Sequence, residues 1–118
     1  MALRPEPRLI RLVVPSHDES RVLARPNGLS GWTLPRCGVR ASPDGWTEAL
    51  VAACEAVLGT TAELDRRLDD ATWVVRPSGR MALMGTAWIA ANETGRLGVD
   101  AGVVRAWFAS LRTGSGEG

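Results

Sequence analysis

Apolar residues recur at helical spacing between Trp46 and Leu58, and they predict the main helix of this chain. Side chains three and four positions apart lie on one helix face, so the spacing indicates a buried stripe. Ser42 is a suitable N-cap, and Pro43 follows at the first helical position, where its missing N–H costs nothing. Gly59 comes after the last apolar residue and can close the helix in a left-handed conformation. The stripe consists of Trp46, Ala49, Leu50, Ala53, Cys54, Val57 and Leu58.

Alternating or continuous apolar runs predict five strands. The first two lie on either side of a polar turn, Ser16 to Ser20, and are expected to form a hairpin. The run from Met81 to Ala90 is apolar on both faces, so it is expected at the centre of the sheet. The predicted strands are Leu9 to Pro15, Arg21 to Arg25, Trp32 to Cys37, Ala71 to Arg76 and Met81 to Ala90.

The remaining segments are more polar or richer in glycine and proline. Residues Thr61 to Asp70 fit a helical turn or a loop, and residues Asn92 to Gly98 fit a loop. A second helix is predicted from Ala101 to Arg112, with Asp100 as its N-cap. Residues 1–7 are expected to form a flexible arm, and residues 113–118, which are rich in glycine, a flexible tail.

Composition limits the classes of function. The chain has 118 residues, 45% of them hydrophobic and 23% charged, as in a globular protein that builds its own core. A net charge of +1 gives no reason to expect nucleic acid or membrane as a partner. All 14 basic residues are arginine, which we attribute to GC-rich codon usage.

The two cysteines, Cys37 and Cys54, indicate a reduced compartment. The N-terminal stretch lacks the apolar run of a secretory signal, so we expect a cytoplasmic protein with two buried thiols. With the single His17, which lies in a polar turn, these residues are too few for a four-ligand zinc site.

The segment around the main helix resembles the signature of a known family. The order W-x-L-P-x-x-G runs from Trp32 to Gly38 and is followed by an acid, Asp44, and a helix that ends at Gly59. This resembles the Nudix box, in which five residues separate a glycine from a glutamate and a second glycine closes the helix. The resemblance implies one Nudix-like domain over residues 8–112, with the α/β/α sandwich and mixed β-sheet of the Nudix fold.

The metal-binding acids of the box are missing. Nudix enzymes hold Mg²⁺ or Mn²⁺ with glutamates and cleave diphosphates linked to another group, the metal activating water. In this chain Ala52 stands at the arginine position, and Ala53, Ala56 and Val57 stand at the glutamate positions. The resemblance therefore implies a degenerate Nudix box, with no metal site, no cofactor and no catalytic residues.

Arginine and tryptophan residues are the candidates for ligand binding. In the family the pocket lies at the end of the sheet near the helix, and arginine can hold phosphate or carboxylate through two hydrogen bonds. A tryptophan there could stack on a base or another flat ligand. The candidate residues are Arg25, Trp32, Arg36, Arg76 and Trp88, with Arg40 and Arg80 nearby in the sequence.

Three classes of function follow. The first is a degenerate Nudix-like domain that binds a nucleotide-like or other anionic small molecule, or a protein partner. The second is a Nudix-type pyrophosphohydrolase whose Mg²⁺ site has moved to Asp44, Glu48 and Glu55, completed by a later acid such as Asp69, Asp70 or Glu93. The third is a structural homodimer that pairs through the exposed edge of the predicted hairpin.

Overall fold

A computed structural model describes residues 7–28, 31–40, 43–81 and 85–116. Residues 1–6, Ser42 and the last two residues of the tail lie outside this range, so the predicted arm and the Ser42 cap stay predictions. In the described part of the chain, no helix is long and apolar enough to cross a membrane.

The strands are β1 (Arg8–Val13), β2 (Arg21–Asn27), β3 (Gly31–Thr33), β4 (Arg36–Val39), β5 (Ala62–Asp69), β6 (Thr72–Pro77) and β7 (Ala87–Ala90). The helices are α1 (Trp46–Leu58) and α2 (Ala101–Gly116), preceded by 3₁₀ segments at Pro43–Gly45 and Ala91–Asp100.

The chain forms two compact units. The first contains described residues 7–14 and 35–81, and the second contains described residues 15–34 and 85–116. The first unit holds a four-stranded sheet in the order β4-β1-β6-β5, with β1 parallel to β6 and the other neighbours antiparallel. The second holds a three-stranded antiparallel sheet in the order β3-β2-β7.

Helix α1 buries three of the seven residues of the predicted stripe, and the other four are half-buried. Leu50, Cys54 and Leu58 are completely buried, and the helix packs against β4, β5 and β6 of the first unit. Gly59 ends the helix with φ 71°, the left-handed conformation expected of it, and its N–H donates to the carbonyl of Glu55. The helix begins later than predicted, at Trp46, because the preceding turn from Pro43 to Gly45 is a 3₁₀ helix.

Strand β5 was not predicted as a strand. The Thr61 to Asp70 segment pairs with β6 along most of its length, from Ala62 opposite Pro77 to Asp69 opposite Thr72. As an edge strand of the sheet it leaves most of its side chains in solvent, so its sequence lacks the apolar alternation of a half-buried strand. Two register shifts in the ladder disrupt the alternation further.

The predicted pairing of the strands was wrong in two places. β1 pairs with β4 and β6, whereas β2 pairs with β3 and β7. Of the predicted hairpin there remains one antiparallel bridge, between Pro15 and Val22. Of the run from Met81 to Ala90, residues 82–84 lie outside the described part, and β7 lies at the edge of its described sheet rather than at its centre. The central strands are β1, β6 and β2. Most of their apolar residues are buried, whereas Leu9 of β1 is 66% exposed.

The predicted strand from Trp32 to Cys37 is two short strands. β3 ends at Thr33 and β4 begins at Arg36. In the second unit, the carboxylate of Asp100 accepts hydrogen bonds from the Thr33 hydroxyl at 2.7 Å and from the Leu34 backbone N–H at 3.1 Å. These bonds satisfy the Leu34 N–H where the sheet ladder stops.

The C-terminal region is more helical than predicted. Residues Ala91–Asp100 form 3₁₀ turns with a kink at Gly98, where a loop was expected from Asn92 to Gly98. Helix α2 buries Val104, Trp107 and Phe108, and it continues to Gly116 rather than ending at Arg112. The mobility of the tail stays a prediction.

Candidate functional site

The helix face that carries the metal ligands in a Nudix enzyme is formed here by small apolar side chains. Ala52 and Ala56 are exposed, and Ala53 and Val57 are half-buried. Methyl and isopropyl groups cannot replace a water molecule bound to Mg²⁺, because that ion requires oxygen ligands. The face does not fit the divalent metal that the fold implies.

The three acids of the alternative metal site differ in their exposure and in their hydrogen bonding. Asp44 and Glu48 are exposed, and Glu55 is half-buried and accepts a hydrogen bond from the Ala62 N–H at 3.1 Å. Glu48 and Glu55 are seven residues apart on one helix, which separates their backbone positions by about 10 Å. Among the residues described, no three His, Cys, Asp or Glu side chains form a group that could hold a metal ion.

Trp88 lies on the outer face of the second unit, between two arginines. It is opposite Leu23 in the antiparallel ladder of β7 and β2, and paired residues point to the same face of a sheet. Residues of β2 two positions from Leu23 share that face, so Arg21 and Arg25 flank Trp88 on either side. Both arginines are exposed, and Trp88 is 38% exposed.

A pocket opens beside Trp88. It has a volume of about 390 Å³ and is lined by Ser16, Asp18, Ser20, Arg21 and Trp88. We call it the Trp88 pocket. Its wall contains an aromatic ring, which can stack on a flat group, and side chains of both charges, which can pair with polar groups.

Asp18 is held in its ionised form in this pocket. Its Oδ1 accepts hydrogen bonds from the Ser20 hydroxyl at 2.6 Å, the Ser16 hydroxyl at 2.8 Å and the Ser20 N–H at 3.1 Å. The Ser20 hydroxyl and N–H, followed by the Ser16 hydroxyl, lower the pKa of Asp18 to about 2. The carboxylate is therefore a fixed hydrogen-bond acceptor at neutral pH.

Trp32 does not share the face of Trp88. It is opposite Pro26 in the β2–β3 ladder, whereas Arg25 is opposite Thr33, so Trp32 and Arg25 point to opposite faces. The guanidinium of Arg96 lies over the Trp32 ring, 5.7 Å from its centre. This cation–π contact occupies a ring face that a ligand would need.

Arg36 and Arg76 belong to the first unit and lie apart there. Arg36 on β4 is opposite Arg11 of β1, which is in turn opposite Thr72 of β6. Arg76 is four residues beyond Thr72, about 13 Å along the strand direction. Its guanidinium also pairs with Asp65, Nε to Oδ2 at 2.9 Å. A single small anion would not reach both arginines.

Four of the five residues that line the Trp88 pocket were missed by sequence reasoning: Ser16, Asp18, Ser20 and Arg21. Arg21 could have been found, since Arg21 and Arg25 share one face of a predicted strand by their spacing of four. Asp18 could not, because its place in the pocket depends on the turn from Ser16 to Ser20 and on the pairing of β2 with β7.

The fold is shared with solved Nudix hydrolases. The chain matches the solution structure of the E. coli ORF135 protein at 16% identity, covering 87% of this chain and 89% of that one, with a TM-score of 0.60. It matches an ADP-ribose pyrophosphatase of Streptococcus suis at 13% identity, covering 91% and 92%, with a TM-score of 0.61. It also matches a structure from a study of the MutT proteins of Aliivibrio salmonicida and Vibrio cholerae. The identity is 16%, the match covers 88% of this chain and 98% of that one, and the TM-score is 0.57.

These likenesses define the fold of the chain as Nudix-like, a mixed α/β architecture, and they confirm the predicted fold class. No protein-family model and no curated protein matches the sequence. The pyrophosphatase activity named for one neighbour is a property of that protein.

Proposed function

We propose that this chain is a catalytically degenerate Nudix-like domain that binds a small anionic molecule with a flat ring, such as a nucleotide. The observation that carries the proposal is the Trp88 pocket, whose lining includes Trp88, Arg21 and Asp18. Arg25 lies on the same face of the sheet, outside the lining of the pocket. In the proposed complex the ring of the ligand stacks on Trp88, and its phosphate is held by Arg21 or Arg25. Asp18 accepts an N–H from the edge of the base.

The proposed lack of hydrolase activity depends on the side chains of helix α1. Water that attacks a diphosphate approaches a centre crowded with negative charge, which Nudix enzymes neutralise with carboxylate-bound metal. Here the corresponding positions, Ala53, Ala56 and Val57, present only hydrocarbon. Glu55, the acid nearest to them, already accepts the N–H of Ala62. No step of hydrolysis is therefore assigned to this chain.

Binding is tested by titration calorimetry with ADP, with adenosine and inorganic pyrophosphate as partial ligands. We expect Trp88→Ala to weaken ADP binding by about 1–3 kcal/mol, the worth of one base stacked on an aromatic side chain. Arg21→Ala should weaken ADP and pyrophosphate binding by about 1.5–3 kcal/mol, the worth of a hydrogen bond to a charged group. Adenosine, which has no phosphate, should bind more weakly to Trp88→Ala and equally well to Arg21→Ala.

The matched control for this experiment is Trp32→Ala. It removes the same side chain from the opposite face of the second unit and should leave the affinity for ADP unchanged. Equal losses from the Trp32 and Trp88 variants would argue against the pocket. If the unmodified protein binds none of the three probes at millimolar concentration, the proposal fails and the protein-interaction module takes its place.

Hydrolysis is tested separately, with ADP-ribose and nucleoside triphosphates in the presence of Mg²⁺ or Mn²⁺. We expect no turnover above the uncatalysed rate, because the Nudix positions Ala53, Ala56 and Val57 of α1 offer no carboxylates for the metal. A variant with glutamate restored at Ala53, Ala56 and Val57 should gain weak activity. Robust turnover by the unmodified chain that is lost in Glu55→Gln would instead establish the relocated metal site.

A further inference from the structure

The side chains on one side of the Trp88 pocket present only hydrogen-bond acceptors. This side, which we call the acceptor side, is formed by Ser16, Asp18 and Ser20. A carboxylate has no hydrogen to donate at neutral pH, so the two serine hydroxyls are the donors in their bonds to Asp18. Each serine thereby uses its only hydroxyl hydrogen and offers a ligand nothing but lone pairs. The Ser16 oxygen also accepts the backbone N–H of Arg21, at 3.1 Å.

Asp18 keeps one carboxylate oxygen for a ligand. Its three hydrogen bonds, from the Ser16 hydroxyl and from the hydroxyl and N–H of Ser20, all end on Oδ1. In the described part of the chain no side chain or backbone N–H donates to Oδ2. Because the bonds to Oδ1 hold the carboxylate in place, Oδ2 is a positioned acceptor that has no partner within the protein.

The donors of the pocket lie on its other two residues. They are the guanidinium of Arg21 and the indole N–H of Trp88. A complementary ligand therefore turns N–H donors toward the acceptor side and negative charge toward Arg21. A ligand atom with a lone pair, placed against the acceptor side, would leave water without gaining a hydrogen bond, and it would be repelled by the carboxylate.

The common bases differ at the edge that would meet the acceptor side. Guanine has two adjacent donors there, the N1–H and the N2 amino group. Adenine has one donor, the N6 amino group, beside the acceptor N1, and uracil and cytosine also place an acceptor next to each donor. Of these four bases, only guanine matches a surface made of acceptors alone.

We propose that Asp18 determines the specificity of the Trp88 pocket and selects a base with two adjacent N–H donors, guanine among the common bases. This inference rests on the proposed binding function. The guanine ring stacks on Trp88, its two donors bond to Asp18 Oδ2 and to the hydroxyl oxygen of Ser16 or Ser20, and its phosphate pairs with Arg21. Adenine binds more weakly, because its N1 meets the acceptor side without a partner.

Titration calorimetry of the full chain with GDP, IDP and ADP tests the selection. The hypoxanthine base of IDP keeps the N1–H of guanine and lacks the amino group. GDP should bind about tenfold more tightly than ADP, the effect of one hydrogen bond to a charged group, and the affinity of IDP should lie between them. Equal affinities for GDP and ADP would overturn the selection and leave the proposed function in place. Failure of all three to bind would remove both.

The variant Asp18→Asn tests the assigned residue. The amide oxygen of asparagine can keep the serine bonds, which leaves its NH₂ group, a donor, where Oδ2 had been. The ratio of the GDP and ADP affinities is the readout, because the lost negative charge affects both diphosphates alike. This ratio should fall from about ten to about one or below, since adenine N1 gains a donor.

Asp44→Asn is the matched control. It makes the same substitution at an exposed site of the first unit and should leave the preference for GDP unchanged. Circular dichroism and the Tm establish that both variants are folded. A preference for GDP that survives in folded Asp18→Asn, or that disappears equally in Asp44→Asn, would overturn the role of Asp18.

Discussion

Replacing Leu50 with alanine is expected to lower the free energy of unfolding by about 2–5 kcal/mol. Leu50 is completely buried on the stripe of α1 that packs on the sheet of the first unit, so the change removes apolar contacts and leaves a cavity. Such a loss is a large part of the roughly 5–15 kcal/mol that stabilises a typical domain. Urea denaturation followed by circular dichroism measures it.

Glu48→Ala is the control for Leu50→Ala. Glu48 lies two residues earlier on the same helix and is exposed, so its loss should change stability by no more than about 0.5 kcal/mol. Alanine favours the helix at both positions, which leaves packing as the difference between the two variants. A larger loss from Glu48→Ala than from Leu50→Ala would show that the faces of α1 are wrongly assigned.

Replacing Asp100 with alanine is expected to cost about 3–5 kcal/mol, because each hydrogen bond to a charged group is worth about 1.5–3 kcal/mol. The Asp100 carboxylate is completely buried and accepts from the Thr33 hydroxyl and the Leu34 N–H. Leu34 is itself completely buried, so its N–H would be left in an apolar environment without that acceptor. The free energy of unfolding from urea denaturation gives the result.

Three further variants divide the effect of Asp100→Ala into its parts. Asp100→Asn keeps an acceptor oxygen and should cost less, whereas Thr33→Val removes only the hydroxyl and should cost about 1–2 kcal/mol. Asp70→Ala makes the same substitution at an exposed site and should stay within about 0.5 kcal/mol. If Asp100→Ala is as mild as Asp70→Ala, the carboxylate does not support the end of β3.

The elements that follow a local rule were predictable from the sequence. The stripe of α1 and the glycine that closes it depend on neighbours within a few residues, and both were found. The strands β1, β2 and β6 were found for the same reason, since burial on one or both faces sets their composition. The missing glutamates at Ala53, Ala56 and Val57 were also visible in the sequence alone.

Strand pairing was not predictable, because it joins segments that are distant in sequence. The turn from Ser16 to Ser20 suggested a hairpin, yet β1 finds its partners in β4 and β6. The polar segment that became β5 is held by backbone hydrogen bonds to β6, which any side chains permit at the edge of a sheet. Pairing is decided by the whole sheet, and the composition of one segment carries little of that information.

The residues of the candidate site were likewise predictable only in part. The sequence by itself determined that arginine and tryptophan are available for binding and that α1 carries no carboxylates at the Nudix positions. Only the tertiary structure decided that Trp88 lies with Arg21, Arg25 and Asp18, and that Trp32 faces away from them. Residue type sets which chemistry a side chain can perform, whereas strand register and helix packing set which side chains meet.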